Sequence, residues 1–421
     1  MSKEKLIPEL RFPEFKNDGE WEENVLSNIT DAIFDGTHQT PTYTESGIPF
    51  FSVENIVSGN KNKFISKEDY EIATNKNKPE KGDILLTRIG KIGFSAIVDW
   101  DYEFSIYVTL ACIKQSKQFN SYYLHSYFQS STYQKEIFSK SLLNAVPMKI
   151  NMDELRKTKV LFPPDIEQKE QQKIATCLSS LDEVIAAHSQ KLDELKDYKK
   201  GLMQNLFPQE GEKVPKYRFK EFENDGEWEL KPFSKYIKLY RGSSPRPIIE
   251  YQTQGVDGVN WIKIGDTGSV TDFVIRSVSE KITPKGAEKS RAVRRGELIL
   301  ANSMSYGSTY LLDIEGCIYD GWFVLREYDE VFDKQFLLQL LNSEFMQNQY
   351  KKLAAGGIVQ NISSEIVYST LLPKTSKAEQ QKIASCLSSL DALITAQVQK
   401  IEQLKLHKKG LMQGLFPKIR E

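Results

Sequence analysis

The sequence predicts a mixed α/β (α+β) chain built as a pseudo-two-fold internal repeat. Two globular domains are each followed by a long helix, and the two helices pair as an intramolecular antiparallel coiled coil. Three observations carry this expectation. First, a 39-residue stretch occurs twice, from Glu170 to Pro208 (EQQKIATCLSSLDEVIAAHSQKLDELKDYKKGLMQNLFP) and from Glu379 to Pro417, and the copies agree at 27 of 39 positions. Identity on that scale marks a duplication. Second, each copy carries a heptad seam. Third, the segments between the copies mix strand-like and helix-like patterns and share little sequence.

The seam of the first copy is Ile174, Leu178, Leu181, Ile185, Leu192, Leu195, Leu202 and Leu206, with His188 and Lys199 at its polar positions. The second is Ile383, Leu387, Leu390, Ile394, Ile401, Leu404, Leu411 and Leu415, with Gln397 and Lys408. Steps alternate between four and three, a period of about 3.5 and so a coiled-coil pattern. A helix of this length extends roughly 55 Å. A whole domain lies between the helices, so pairing requires the second to run back along the first. The predicted boundaries are 1–165 (first globule), 166–208 (first helix), 209–374 (second globule) and 375–421 (second helix). His188 aligns with Gln397, as expected for a polar layer that fixes register.

Composition narrows the functional classes. Across 421 residues, 56 basic and 57 acidic side chains leave a net charge of -1, so any nucleic-acid surface has to be local. Four cysteines (Cys112, Cys177, Cys317, Cys386) show no zinc spacing, and the equivalent Cys177 and Cys386 read as reduced core thiols. Without a signal peptide or an apolar run of membrane length, a cytoplasmic location is expected.

The remaining elements follow in order. A short segment opens each half: PELRFPEFKNDGEWEE (Pro8 to Glu23) returns as PKYRFKEFENDGEWEL (Pro215 to Leu230). Its NDG marks a turn, and Trp21 or Trp228 anchors it to a core. IPFFSVENI (Ile48 to Ile56) and VNWIKIGD (Val259 to Asp266) read as matching strands. KGDILLTRIGKIGFSAIV (Lys81 to Val98) and RGELILANSMSYGSTYLL (Arg295 to Leu312) each read as strand, glycine turn, strand. Phe119 to Phe138 and Phe332 to Leu353 read as amphipathic helices. Strand ends at LFPPD (Leu161 to Asp165) and LLPK (Leu371 to Lys374) lead into the long helices, and QEGEKVP (Gln209 to Pro215) links the halves.

The EQQKIAxCLSSLD opening, the KKGLMQxLFP close and the repeated RFxEFxxDGEW segment resemble the specificity subunit of type I restriction-modification enzymes, across the whole chain and in the expected order. The resemblance implies two target-recognition domains, each reading one half of a split, asymmetric DNA sequence, with the helical pair as a ruler for the unread spacer. It also implies a subunit without catalytic chemistry and without cofactors of its own. It implies as partners two modification subunits, which would bring S-adenosylmethionine and methylate adenine, and restriction subunits, which would cleave DNA with ATP and magnesium. The rival from another class is a protein–protein scaffold whose globules bind peptides.

The residues agree with a non-catalytic role. There is no P-loop and no Asn/Asp-Pro-Pro-aromatic tetrapeptide. Pro164-Asp165 with Glu167-Gln168-Lys169 has nuclease-like letters, but the second half lacks the aspartate, and acids that favour a helix N-terminus explain it better. The four histidines have no ligand spacing.

DNA-contact candidates lie on loops mixing cations, small polar residues and aromatics. The first globule offers His38, Gln39 and Thr40 after its first strand, Arg88 and Lys91 at the strand turn, and Lys149 on a late loop. The second offers Arg241, Ser243, Ser244 and Arg246, then Asn302, Ser303 and Tyr306, then Gln360 and Asn361. Arginine suits guanine edges and asparagine or glutamine suits adenine, whereas lysines hold phosphates. For each residue taken singly, a solvated loop position explains its type better than a base contact does. Lys285 to Arg295 is the densest basic stretch and also reads as an ordinary solvated face. Gln171, Gln172, Asp182 and their equivalents Gln380, Gln381 and Asp391, expected on exposed helix faces, are candidates for contact with the modification subunits.

Overall fold

A computed structural model describes residues 5–60, 62–164, 167–268, 270–303, 307–354 and 361–418. It divides into two compact units, Met1–Ala187 with Ile401–Glu421, and His188–Lys400.

The duplicated stretches form long helices, Lys169–Leu206 and Lys377–Leu415. Every seam position is buried or half-buried. Within the second unit, Gln397 Nε2 donates to His188 O at 2.8 Å and contacts His188 Nδ1 at 2.7 Å, while Lys199 Nζ reaches Asp391 Oδ1 at 2.6 Å. Partner numbers fall along one helix as they rise along the other, so the segments run antiparallel. The His188–Gln397 layer is the expected one. In the first unit, Lys408 Nζ meets Asp182 Oδ1 at 2.6 Å, repeating the Lys199–Asp391 pair in equivalent residues.

Each unit packs the start of one long helix and the end of the other into a single core. In the first, Trp21, Tyr123 and Leu161 enclose Ile174, Leu178, Leu415 and Phe416. In the second, Trp228 and Phe336 join Leu206, Phe207, Ile383 and Leu387. The opening segment is held by the same bond twice. Arg11 grips Glu170 bidentately at 2.8 and 2.7 Å, and Arg218 grips Glu379 at 2.7 and 2.8 Å, all four side chains being buried. A planar guanidinium fork matches a carboxylate in this way. Arg11 also donates to Gly19 O and Arg218 to Gly226 O, so the NDG turn is tied to the helix start.

Above this base the globules share one topology despite divergent sequence. The main sheet of the first unit orders Ile33–Asp35, Leu110–Ile113, Ile84–Thr87 and Ser95–Ile97. That of the second orders Lys238–Arg241, Trp322–Arg326, Leu298–Ala301 and Thr309–Leu312, with Val274–Ile275 added at the edge. The central strands are largely apolar because both faces are covered. Ile84 and Leu86 enter one core cluster and Leu85 another, as do Leu298 with Leu300 and Ile299 with Ala301. Alternation by two produces that split.

Some expectations need correcting. The strands at Ile48–Phe51 and Val259–Ile262 are shorter than their apolar runs. The first gives way to a helix at Val53–Ser58, started by Ser52, whose backbone N–H donates to the Asn55 side chain, and the second to a helical turn at Ile264–Thr267. Each amphipathic stretch is two helices, Ser121–Phe128 with Ser131–Ser139, and Lys334–Leu341 with Glu344–Ala354. Ser130 breaks the first stretch by capping the next helix through Tyr133 N. Cys177 and Cys386 are half-buried beside the seam rather than in the core, while Cys112 and Cys317 are buried, and all four are free.

Candidate nucleic-acid interface

The sheet order decides which loops meet. In the first unit the strand Leu110–Ile113 lies antiparallel between Ile33–Asp35 and Ile84–Thr87, so the ends of the outer two and the approach to the middle one share an edge. Backbone bonds join them: Thr37 N to Ile106 O at 3.1 Å, Val108 N to Thr37 O at 3.0 Å and Arg88 N to Thr109 O at 2.9 Å. The late loop closes on the same edge through Ile150 N to Arg88 O at 2.9 Å and Gly90 N to Met148 O at 2.8 Å. The second unit repeats this frame with Ser243 N to Ile318 O at 3.2 Å, Asn302 N to Gly321 O at 2.9 Å and Ile362 N to Asn302 O at 2.8 Å. Close approach makes glycine necessary at the first crossing. A Cβ on Gly36 would stand 2.0 Å from Ile106 O, and one on Gly242 would stand 1.9 Å from Tyr319 O.

The frame gathers most of the predicted contact residues into one cluster per unit, with different chemistry in each. In the first, Arg88 is buried. Its Nη1 donates to Val108 O at 2.7 Å and to Asp35 Oδ2 at 3.2 Å, and its Nε to Ile150 O at 3.3 Å. Burial pulls this guanidinium below its ordinary pKa, and the Asp35 carboxylate opposes the shift. His38 Nε2 sits 3.0 Å from the same Asp35 oxygen, and Thr40 Oγ1 is 3.0 Å from Tyr107 OH. Gln39 is exposed beside them, Lys91 is exposed on the turn, and Lys149 pairs with Ile89 across a backbone bridge.

In the second unit Arg241 Nε and Asn302 Nδ2 converge on Asp320 O at 3.2 and 3.0 Å. Asp320 occupies the place of Val108, so one carbonyl organises both clusters. Ser243 Oγ donates to Lys289 O at 3.2 Å, exposed Arg246 lies 3.6 Å from the Asp320 carboxylate, and Ser303 Oγ is 3.5 Å from Tyr319 OH. Ser303 bridges Asn361, and a cleft of 410 Å³ opens between Arg241, Asn302, Asn361 and Tyr368. Tyr306, Gln360 and Asp165 lie outside the described residues. The basic stretch is partly tied into the fold: Arg291 donates to Arg241 O at 3.2 Å and Arg295 pairs with Asp313 at 2.7 Å.

Sequence reading missed Asp35, Tyr107, Tyr319 and Asp320. A signal existed for Tyr107, Tyr319 and Asp320, since IYVTL (Ile106 to Leu110) and IYDGW (Ile318 to Trp322) align just before equivalent strands. The expected exposed faces of the long helices also need correction. Gln171 and Gln380 are 2 % and 0 % exposed and accept from Asn120 N at 3.0 Å and Asp333 N at 2.7 Å, which ties each helix to the cap of a neighbouring one. Asp391 is half-buried against Lys199, Asp182 binds Lys408, and Gln172 and Gln381 are exposed. Among the described residues no group of His, Cys, Asp and Glu is arranged to hold a metal, and no helix is long and apolar enough to cross a membrane.

Residues 19–197 and 243–406, well over half of the chain, match the family described as the type I restriction modification DNA specificity domain. Two relatives from Methanocaldococcus jannaschii are named as type I restriction enzyme specificity subunits, MjaX (a provisional name) and MjaVIII. Each is 26% identical to this chain, over 414 and 393 residues, covering 94% and 88% of this chain and 93% and 86% of the relative. The crystal structure of a type I restriction-modification S subunit from M. genitalium aligns over 99% of this chain and 100% of that one, with a TM-score of 0.60 at 13% identity, a likeness of fold. The chain therefore belongs to the type I restriction-modification specificity subunits, the non-catalytic components that recognise DNA sequence within a larger complex.

Proposed function

We propose that each unit reads one short arm of a bipartite, asymmetric DNA target through the cluster at its sheet end, and that the long helices set the number of unread base pairs between the arms. One observation carries this reading: the same backbone frame presents His38, held by Asp35 and Arg88, in one unit and Arg241, braced with Asn302 on the Asp320 carbonyl, in the other. Equivalent frames with different donors and acceptors suit two different base sequences. Lys91 and Lys149 serve as phosphate contacts, which set position without specifying bases.

The partners in this scheme are two modification subunits that methylate adenine with S-adenosylmethionine, and restriction subunits that cleave with ATP and magnesium. The chain itself contributes no cofactor site, and it works in the cytoplasm. Gln172 and Gln381 offer exposed helix surface for the modification subunits. The test is the methylome of cells co-expressing the chain with its modification subunit, paired with gel shifts across a salt series. Two unrelated arms separated by bases without preference are expected. A continuous or palindromic motif would overturn the reading, and a chain that ignores DNA at every salt concentration would favour a protein scaffold.

A further inference from the structure

Arg88 was expected to read guanine, yet its surroundings give it another task. Three of its bonds go to protein: Nε to Ile150 O, and Nη1 to Val108 O and Asp35 Oδ2. Its side chain is 8% exposed, so the bidentate fork is not presented to a groove. Asp35 is 24% exposed, and the oxygen that Arg88 holds is the one that meets His38 Nε2 at 3.0 Å. The order from core to solvent is therefore buried cation, half-buried carboxylate and a histidine that is 73% exposed.

A carboxylate oxygen only accepts, so the ring proton of a neutral His38 sits on Nε2, and Nδ1 is left as a lone-pair acceptor. Among the described residues Nδ1 has no hydrogen-bond partner. In the major groove only adenine N6 and cytosine N4 donate, whereas guanine N7 and O6 and thymine O4 accept and would face the lone pair. Resting on the reading of this sheet end as a DNA surface, we propose that His38 Nδ1 is a specificity-determining acceptor for the exocyclic amine of an adenine or cytosine in the first arm. Asp35 and Arg88 are positioning residues that hold the ring in the accepting tautomer. The second unit has no such relay, because Arg241 stands where Asp35 does and Asn302 where Arg88 does.

The experiment uses the complex purified with its partner subunits and duplexes carrying the target found in the methylome. At each first-arm adenine or cytosine the base is replaced by its analogue lacking the exocyclic amine, purine or pyrimidin-2-one. At one position the wild-type complex should lose roughly tenfold in affinity, about the value of one hydrogen bond. His38→Ala should bind both duplexes equally there and keep every other penalty. Asp35→Leu should shrink the ratio, and Asp35→Asn should retain it, because an amide oxygen still accepts from both neighbours; a merely structural role would not move this ratio. The proposal is overturned if His38→Ala keeps all amine penalties, or if the penalty it abolishes belongs to removal of an acceptor, as with 7-deazaguanine. If the first unit does not read DNA at all, no first-arm substitution will change wild-type affinity, which separates that failure from the failure of His38 alone.

Discussion

Lys199 Nζ lies 2.6 Å from Asp391 Oδ1, with side chains 10% and 15% exposed, and Gln339 Nε2 donates to the other carboxylate oxygen at 2.8 Å. Its duplicate, Lys408–Asp182, has the same 2.6 Å separation, but Asp182 is 51% exposed. A buried pair that loses one member leaves an uncompensated charge, while an exposed pair is screened. Asp391→Ala should therefore destabilise the protein by roughly 2–4 kcal/mol and Asp182→Ala by less than about 1 kcal/mol. Urea midpoints of the two variants, at unchanged slope, measure the contrast. Equal losses would mean that burial does not separate the pairs. The double variant Lys199→Met/Asp391→Leu should recover most of the deficit.

The duplicated fork is less forgiving than its chemistry suggests. Arg11 and Arg218 each bond a buried glutamate through two nitrogens and a turn carbonyl through a third. The Glu379 carboxylate raises the pKa of Arg218 above its ordinary value. Lysine keeps the charge but not the planar fork. Arg218→Lys should cost roughly 1–3 kcal/mol, since the opening segment loses its tie to Gly226 together with one carboxylate bond. Limited proteolysis should then cut before Trp228 in the variant at protease concentrations that leave the parent chain whole.

What could be read in advance depended on whether a feature is local. The seam was legible because helical spacing is a property of consecutive residues. Its phase even reached Gln171, three residues before Ile174, and ignoring that phase led to the expectation of an exposed side chain. The Arg11–Glu170 bond was visible only as two motifs repeated together, since 159 residues separate the partners. The Arg88–Asp35–His38 relay had no signature in sequence. It exists because Leu110–Ile113 inserts between two strands from distant parts of the chain, and only the topology brings their ends to one edge.

His125 provides a pH test inside the first unit. Burial pushes its pKa down to about 4, Lys408 acts in the same direction and Asp182 opposes them. Ser95 Oγ is 2.9 Å from Nδ1 and Gln129 Nε2 is 2.7 Å from Nε2. Because Gln129 Nε2 can only donate, Nε2 accepts and Nδ1 carries the ring proton, so the site is built for the neutral ring. The folded pKa lies below the unfolded one, so the unfolded chain takes up the proton first. Stability from this group is complete above about pH 6.5 and is lost as pH falls toward 4. The loss should be roughly 1–3 kcal/mol. Thermal midpoints of the parent chain and of His125→Gln, measured from pH 7.5 to 4.5, should converge or cross as the pH drops. Parallel curves would place the titration elsewhere.

The second cluster makes the complementary claim about base reading. Among the described residues Arg241 bonds only through Nε, to Asp320 O, and it is exposed, which leaves Nη1 and Nη2 for a base edge. Asn302 is 3% exposed and shares the same carbonyl, so it braces the loop and does not itself project into a groove. Two free nitrogens on a guanidinium match guanine O6 and N7. Arg241→Ala should therefore relax the preference at one guanine of the second arm, with a loss of roughly 1–3 kcal/mol on the intact target. Every first-arm preference should stay unchanged. Arg246→Ala, whose side chain is 82% exposed beside the Asp320 carboxylate, should weaken binding evenly across sequences and lower the salt slope by about one. Binding selections on randomised duplexes at two salt concentrations separate these outcomes. If Arg241→Ala weakens all sequences alike, it is a phosphate contact, and the reading of the second arm passes to Ser243 and Ser303 on the same edge.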